Sequence, residues 1–361
     1  MDVSDTHART IRLWLLTVAV MIFATLVVGG ATRLTESGLS ITQWKPITGV
    51  VPPLSQAAWE QDFKKYQQIP QYQELNRGMT LAQYKVIYWY EWTHRMLARA
   101  IGFVFLLPFL FFLWRGWAPK RLRIRLWALF GLLALQGAVG WWMVSSGLAG
   151  SDRVVVSQYR LAFHLTLACV LYLAVLWTAQ QLAPARPVEA GGRLRGFALA
   201  ILALVLAQIY LGALVAGTGA GHAYNTWPLI DGAFVPSAGQ LFFLSPVWRN
   251  FFENILTVQF DHRMLAYVIW LAILFHAFDA WRTQRGATGA LLLAGVATIQ
   301  VALGITTLLM AAPIDLALAH QVVAIVVFTV AAVHAERLWH REAAAVPTAA
   351  MRGHVTLELA E

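Results

Sequence analysis

Gln259-Phe260-Asp261-His262-Arg263-Met264-Leu265-Ala266 runs without a break into Tyr267-Val268-Ile269-Trp270-Leu271-Ala272-Ile273-Leu274-Phe275. A polar, histidine-bearing turn feeding an apolar run reads as one end of a helix that crosses a membrane. Such a crossing needs roughly 20 mostly apolar residues, and this one extends over about 256–279. Seven more stretches qualify, near 13–31, 90–114, 126–146, 156–179, 194–216, 288–310 and 315–337, the last two separated at Pro313, which stops a helix. The whole chain agrees. Of 361 residues 59% are hydrophobic and only 12% charged, and the mean hydropathy is +0.60. That surplus cannot be covered in a water-soluble fold, and disorder needs the opposite composition. The single cysteine, Cys169, excludes an internal disulfide, a thiolate cluster and covalent C-x-x-C-H haem attachment. The sequence therefore predicts an all-α polytopic membrane protein of eight spans. The first span is too long for a signal-peptide core and no A-x-A site follows it, so it reads as a retained helix.

Lys and Arg near the span ends set the orientation. Arg9 and Arg12 precede the first span. Arg115, Lys120, Arg121, Arg123 and Arg125 fill the second connection, Arg186, Arg193 and Arg195 the fourth, and Arg282 and Arg285 the sixth; Arg337, Arg341 and Arg352 follow the last span. The short third connection carries only Arg153 and the seventh none. Both termini and the basic connections are expected on the cytoplasmic side. The basic surplus is then a topology signal attracted to anionic lipid, and it implies no nucleic acid.

The opening stretch has a counterpart. Glu91-Trp92-Thr93-His94-Arg95-Met96-Leu97-Ala98 begins the second span, and five consecutive residues, H-R-M-L-A, are identical in the two. Leu135-Gln136-Gly137 in the third span matches Ile299-Gln300-Val301 in the seventh, and His164 opens the fourth span as His320 opens the eighth. The chain is expected to be two four-helix bundles, residues 1–185 with a long outer loop at 31–89 and residues 186–361 with a cytoplasmic tail. Because four is even, the halves are related by a pseudo-two-fold axis along the membrane normal, a parallel repeat.

His94, His164, His262 and His320 all fall in the opening turns of spans that run inward, some 6–12 Å below the outer edge at about 1.5 Å per residue. Ionisable groups at such depth are expensive and usually functional. Single histidines often serve only to hydrogen-bond neighbouring helices, but four in matched positions suggest a shared ligand. Zinc needs three or four protein ligands in one cluster, whereas a haem needs two axial ligands on facing helices and suits a bundle core. Two haem sites follow, His94 with His164 and His262 with His320, although pairing across the halves stays open from spacing alone. Arg95 and Arg263 are placed to meet propionates or support the sites; Arg99 reads equally as snorkelling to headgroups. His276 and His334 lie fourteen residues after His262 and His320, on the same helix faces, which would also suit a second haem stacked across the membrane. The first half has Pro108 and Thr178 at those places. His222, His340 and His354 read as solvated.

Glu91 stands three residues before His94, on its helix face, where the second half has Gln259. A carboxylate above one site and an amide above the other suggests chemistry in the first half and a permanent cofactor in the second. An acid at a helix N-terminus is the plainer reading, worth up to about 1 kcal/mol. The long outer loop, with Trp59, Phe63, Tyr66 and Tyr72, is expected to be an ordered cap.

Gly29-Gly30-Ala31-Thr32-Arg33-Leu34-Thr35-Glu36-Ser37-Gly38-Leu39-Ser40, Trp44-Lys45-Pro46, Pro52-Pro53-Leu54, Glu91-Trp92-Thr93-His94-Arg95, Asn225-Thr226-Trp227-Pro228-Leu229 and Asp261-His262-Arg263 together resemble the haem A synthase family. The resemblance runs over all eight spans and both large outer loops. It implies an oxidoreductase of the bacterial inner membrane that turns a ring methyl of haem O into the formyl group of haem A for terminal oxidases, with its haem sites towards the outer face. It implies His94 and His164 as axial ligands of the substrate haem O, Glu91 as the catalytic acid, and His262 and His320 as iron ligands of a haem b cofactor. Implied partners are haem O, haem O synthase, cytochrome oxidase assembly factors and membrane lipid, with oligomerisation open. Some relatives carry a cysteine pair in the first outer loop; this chain has none there, which removes any thiol role. A di-haem quinol cytochrome and a haem transporter are the alternative readings.

Overall fold

The computed structural model of the protein describes residues 5–148, 150–184, 188 and 190–339. Among these residues the α-helices are α1 (Asp5–Leu34), α2 (Gln56–Tyr66), α3 (Pro70–Glu74), α4 (Leu81–Trp114), α5 (Lys120–Val144), α6 (Gln158–Gln181), α7 (Gly192–Thr218), α8 (Ala238–Leu241), α9 (Asn250–Glu253), α10 (Ile255–Thr283), α11 (Ala287–Leu309) and α12 (Ile314–Trp339). Eight of them, α1, α4, α5, α6, α7, α10, α11 and α12, are long and apolar enough to cross a membrane, so the protein is a multi-pass membrane protein. No sheet forms among the described residues; one isolated bridge joins Ile230 and Ala233. The expected boundary at 185/186 and the tail beyond Trp339, with His340 and His354, lie outside the described residues.

The first four long helices pack in a ring: α1 on α4 and α6, and α5 on α6 and, more lightly, α4. The last four follow the same order, α7 on α10 and α12, and α11 on both of those. The rings meet where α6 packs on α7, α1 on α12 and α6 on α12. The basic ends lie together: Arg125 at the start of α5 donates to Gln181 at the end of α6, Arg193 of α7 reaches Asp279 of α10 at 2.6 Å, and His7 stacks on Trp117 at 4.3 Å. At the opposite end Arg33 of α1 donates to the Ala216 carbonyl of α7 at 3.0 Å.

All eight long helices contribute to one apolar core, with Ile11, Phe105, Leu122, Val175, Ile201, Ile273, Leu293 and Phe328 at its centre. It fills the basic half of the bundle and stops one to two turns short of His94, His164, His262 and His320. The side chains that pack best thus leave the outer half for something else.

The start of α4 departs from the sequence reading. α4 begins at Leu81, not near residue 90, because Thr80 and Gln83 form a reciprocal capping box and Tyr84 and Tyr88 pack under the outer loop. His94 therefore stands thirteen residues into its helix, about 20 Å from its start; His262 stands seven residues into α10. Pro108 lies inside α4 without ending it. The turn before Pro313 is made by Ala311 and Ala312, both left-handed at φ 58 and 53, a backbone that L residues seldom adopt.

The first outer loop folds over its half. Trp59 packs on Tyr88 with ring centroids 4.8 Å apart and Tyr66 on Tyr84 at 5.4 Å, and the wholly buried Tyr66 hydroxyl accepts from the Asn76 amide at 2.7 Å.

Candidate functional site

Each of the four histidines is wedged against a glycine of a neighbouring helix: His94 on Gly29 of α1, His164 on Gly140 of α5, His262 on Gly212 of α7 and His320 on Gly304 of α11. A Cβ at those glycines would come within 2.8, 3.0, 3.2 and 2.8 Å of the imidazole Cε1, so any larger residue would displace the ring at His94 and His320 and crowd it at His164 and His262. All four rings remain half-buried in the middle of a bundle, so each presents surface to interior space. His164 is within electrostatic reach of His94, and His262 of His320, which brings the histidines together within each ring of helices.

Four residues before three of these glycines, hence on the same helix face, stands a glutamine. Gln136 places Nε2 3.1 Å from His164 Nδ1 and donates to the His164 carbonyl at 3.1 Å. Gln208 does the same to His262, at 2.9 Å to Nδ1 and 2.9 Å to the carbonyl. Gln300 donates to the His320 carbonyl at 3.0 Å and lies 3.4 Å from the ring's Nε2. The Oε1 atoms of all three glutamines are buried without a partner, as are Nδ1 of His94 and of His320. Orphaned polar atoms in a protein interior are costly and call for an explanation. Pairs of half-buried imidazoles on opposite helices of each four-helix ring fit a planar porphyrin held between them through its iron; among the described residues no three His, Cys, Asp or Glu side chains converge to hold a bare metal ion.

Above His94, Glu91 is 2% exposed and receives four donors. Ser40 Oγ and the Ile41 N–H each reach Oε2 at 2.7 Å, and Arg95 reaches Oε1 through Nε at 3.1 Å and Nη2 at 2.6 Å. Arg95 also donates to the carbonyls of Ile41 and Gln43, and Arg99 to those of Lys45 and Pro46. These contacts bolt the outer loop to α4. They roof a cavity of about 250 Å³ lined by Ser40, Gln43, Lys45, Lys65, Arg95 and Arg99 among others. In the second half Arg263 bonds Gln259 Oε1 at 3.1 Å and the carbonyls of Tyr224, Thr226 and Leu229, while Gln259 Nε2 donates to the Ala220 carbonyl at 2.9 Å. Arg95 and Arg263, considered for propionates from sequence, thus spend their guanidinium groups largely on loop carbonyls.

His276 and His334 face each other across α10 and α12 with Nε2 atoms 2.8 Å apart. Each ring thus has the other as its hydrogen-bond partner. Cys169 is buried in the core. His222 is exposed and its Nδ1 lies 3.1 Å from the Ala311 carbonyl. Sequence reasoning noted Gln136 and Gln300 only as markers of the repeat and Gly29 only within the family motif, and passed over Gln208, Gly140, Gly212 and Gly304. The missed signal was Gln-x-x-x-Gly at 136–140, 208–212 and 300–304.

Comparison with known proteins gives a consistent result. The COX15-CtaA family model, described as cytochrome oxidase assembly protein, matches residues 12–332. Proteins named heme A synthase align over nearly the whole chain. One from Rhodopseudomonas palustris (strain HaA2) is 56% identical over 345 residues, 95% of this chain and 94% of the relative. One from strain BisA53 is 57% identical over 349 residues, 95% and 96% of the two chains. One from Bradyrhizobium diazoefficiens is 56% identical over 338 residues, 93% of each.

Proposed function

The chain belongs to the COX15-CtaA family of cytochrome oxidase assembly proteins, and from that premise we propose how its residues divide the work of a haem A synthase. The reaction is the oxidation of a ring methyl of haem O to the formyl group of haem A. In balance, R–CH3 + H2O gives R–CHO + 4 H+ + 4 e−, and two successive hydroxylations followed by loss of water from the geminal diol would satisfy it.

His94 and His164 hold the substrate haem O through its iron, and His262 and His320 hold a haem b. The observation that carries this reading is the set of four half-buried imidazoles, each seated on a glycine, with unpartnered polar atoms around them. A haem b in the second site supplies a one-electron carrier. Glu91, three residues from His94, keeps a negative charge beside the substrate site and stabilises positive charge that develops at the oxidised carbon. To accept a proton itself it must first release one of its four donors. Arg95 fixes that carboxylate and, with Arg263 in the second half, holds the outer loops closed over the sites. The membrane suits haem O, whose farnesyl chain is apolar. Both termini are cytoplasmic, the haem sites face the outer side of the inner membrane, and the two rings derive from one duplicated four-helix unit. Haem O synthase and oxidase assembly factors are the partners that would deliver substrate and receive product.

Mass spectrometry of haems extracted from cells expressing single variants tests the assignment. His94→Ala and His164→Ala should abolish haem A, and His262→Ala should remove haem b; normal haem A without His94 would overturn the substrate site. Glu91→Gln should stop turnover while bound haem remains, whereas Ser40→Ala, which loosens the loop but keeps the charge, should retain turnover. Near-normal turnover in Glu91→Gln would refute its role.

A further inference from the structure

His94 and His262 align α4 on α10, and Gln136 and Gln300 align α5 on α11, so the halves can be compared residue by residue. Eight residues past His262, Trp270 donates its indole N–H to Thr298 Oγ1 of α11 at 3.1 Å. Trp270 also packs on the apolar core, and the pair closes the seam between α10 and α11. The matching residues of the first half are Gly102 and Ala134. A Cβ at Gly102 would meet no atom within 4 Å. α5 accordingly packs on α4 only lightly, while α11 packs closely on α10.

The opening in the first half has edges. Gly102, Phe105 and Phe109 share one face of α4, and Trp127, Phe130 and Ala134 share one face of α5. Towards the basic end these faces meet, Phe105 on Phe130 with ring centroids 6.2 Å apart and Phe109 on Trp127 at 4.9 Å. Towards the other end the Arg95 guanidinium lies over the Trp141 ring at 5.8 Å. Gly102 stands between them, about 12 Å along the helix from His94 at 1.5 Å per residue, inside the membrane-spanning stretch. Ala134 comes two residues before Gln136, whose Oε1 is buried without a partner in the seat of His164. The gap is therefore continuous with the first histidine site and not a separate feature of the surface.

Haem O and haem b differ in bulk at one ring position, where haem O carries a farnesyl chain and haem b a vinyl group. An apolar chain of that length cannot stay inside a ring of four close-packed helices, and it must pass between two of them. The half assigned to haem O is open at one seam, and the half assigned to haem b holds an indole at the same place.

We propose that the gap between Gly102 and Ala134 receives the farnesyl chain of haem O, and that Trp270 with Thr298 closes the equivalent gap and reserves the second site for a haem without one. This rests on the two-haem reading above and deepens it. Gly102 and Trp270 are then the residues that decide which haem each half accepts.

The test uses the full chain in detergent, purified from cells without haem O synthase and titrated with haem O or with protohaem while the Soret band reports ligation. Gly102→Trp should weaken haem O at least about tenfold, the effect of losing as few as two buried methylene groups, and leave protohaem binding and the resident haem b unchanged. Gly102→Ala, which the open space accommodates, should bind haem O as the parent does. In the second arm His94→Ala and His164→Ala empty the first site in cells that make haem O. Adding Trp270→Gly and Thr298→Ala should then bring haem O into the second, shown by mass spectrometry of the extracted haems. Haem O bound by Gly102→Trp as tightly as by the parent would overturn the inference, as would an opened second site that still takes haem b alone; both leave the two-haem reading intact. Should Gly102→Trp lose its haem b through misfolding, the second arm, which only removes bulk, decides. Full haem O binding in both His94→Ala and His164→Ala would instead remove the reading beneath it.

Discussion

The outer ends of α4 and α10 carry the same latch built with opposite polarity. In both, an arginine one turn below an acidic or amide side chain gathers carbonyls from the overlying loop. At Glu91 the loop answers with donors, the Ile41 N–H and the Ser40 hydroxyl; at Gln259 it answers with an acceptor, the Ala220 carbonyl. A carboxylate can only accept and an amide can donate. The loop backbone therefore accounts for glutamate in one half and glutamine in the other before any chemistry is considered. The lesson is that a charged residue beside a substrate site can serve the architecture and the reaction together, and that the two duties must be separated by experiment.

The largest expected difference lies in the arginines. Arg95→Ala strands a buried carboxylate and should cost about 3–5 kcal/mol. Arg263→Ala leaves only neutral partners and should cost about 1–3 kcal/mol. Thermal melts of the two purified variants check this, and an equal loss would erase the contrast between the halves. Exchanging the side chains sharpens it. In Glu91→Gln the new NH2 must face either the Ile41 N–H or the Arg95 guanidinium, so about 1–3 kcal/mol should be lost. Gln259→Glu sets an oxygen against the Ala220 carbonyl but gains an ion pair with Arg263, and should melt closer to the parent. Next comes the aromatic packing of the first half's cap. Tyr66→Phe leaves the Asn76 and Gln71 amides without their buried hydroxyl and should cost about 1 kcal/mol, seen as faster proteolysis within residues 56–76.

The smallest effect belongs to the second half's outer loop, where Glu253 accepts from Arg249 and from the Tyr159 hydroxyl at 2.6 Å. Those donors hold its carboxyl below the ordinary value of 4.5. The folded form thus favours the charged state, and its contribution is complete above that value and lost as the pH falls below it. For a pair this exposed, Glu253→Gln should cost under about 1 kcal/mol at neutral pH and nothing in acid, measured by melts across the pH range.

The spans were legible because twenty apolar residues leave few alternatives. The histidines stood out as polar groups in apolar runs. The true start of α4 was hidden because its outer turns carry Gln83, Lys85 and Glu91 among aromatics, a pattern set by the loop packed on it and not by lipid. The glycine seats were hidden for another reason: a small residue in a membrane helix fits any close approach, and only the contact shows that an imidazole is what approaches. The loop latches needed three dimensions altogether, since Ser40 and Glu91 are fifty-one residues apart.

Gly29 and Gly30 are neighbours on α1, yet they serve different halves. Gly29 lies under His94, while Gly30 receives Gln321, the residue beside His320, whose amide donates to the Leu26 carbonyl at 2.8 Å. A displacement of α1 that eases one site must therefore disturb the other through the same few backbone atoms. Thermodynamic linkage then makes the effect mutual: if filling the second site tightens the first, filling the first must tighten the second by the same factor.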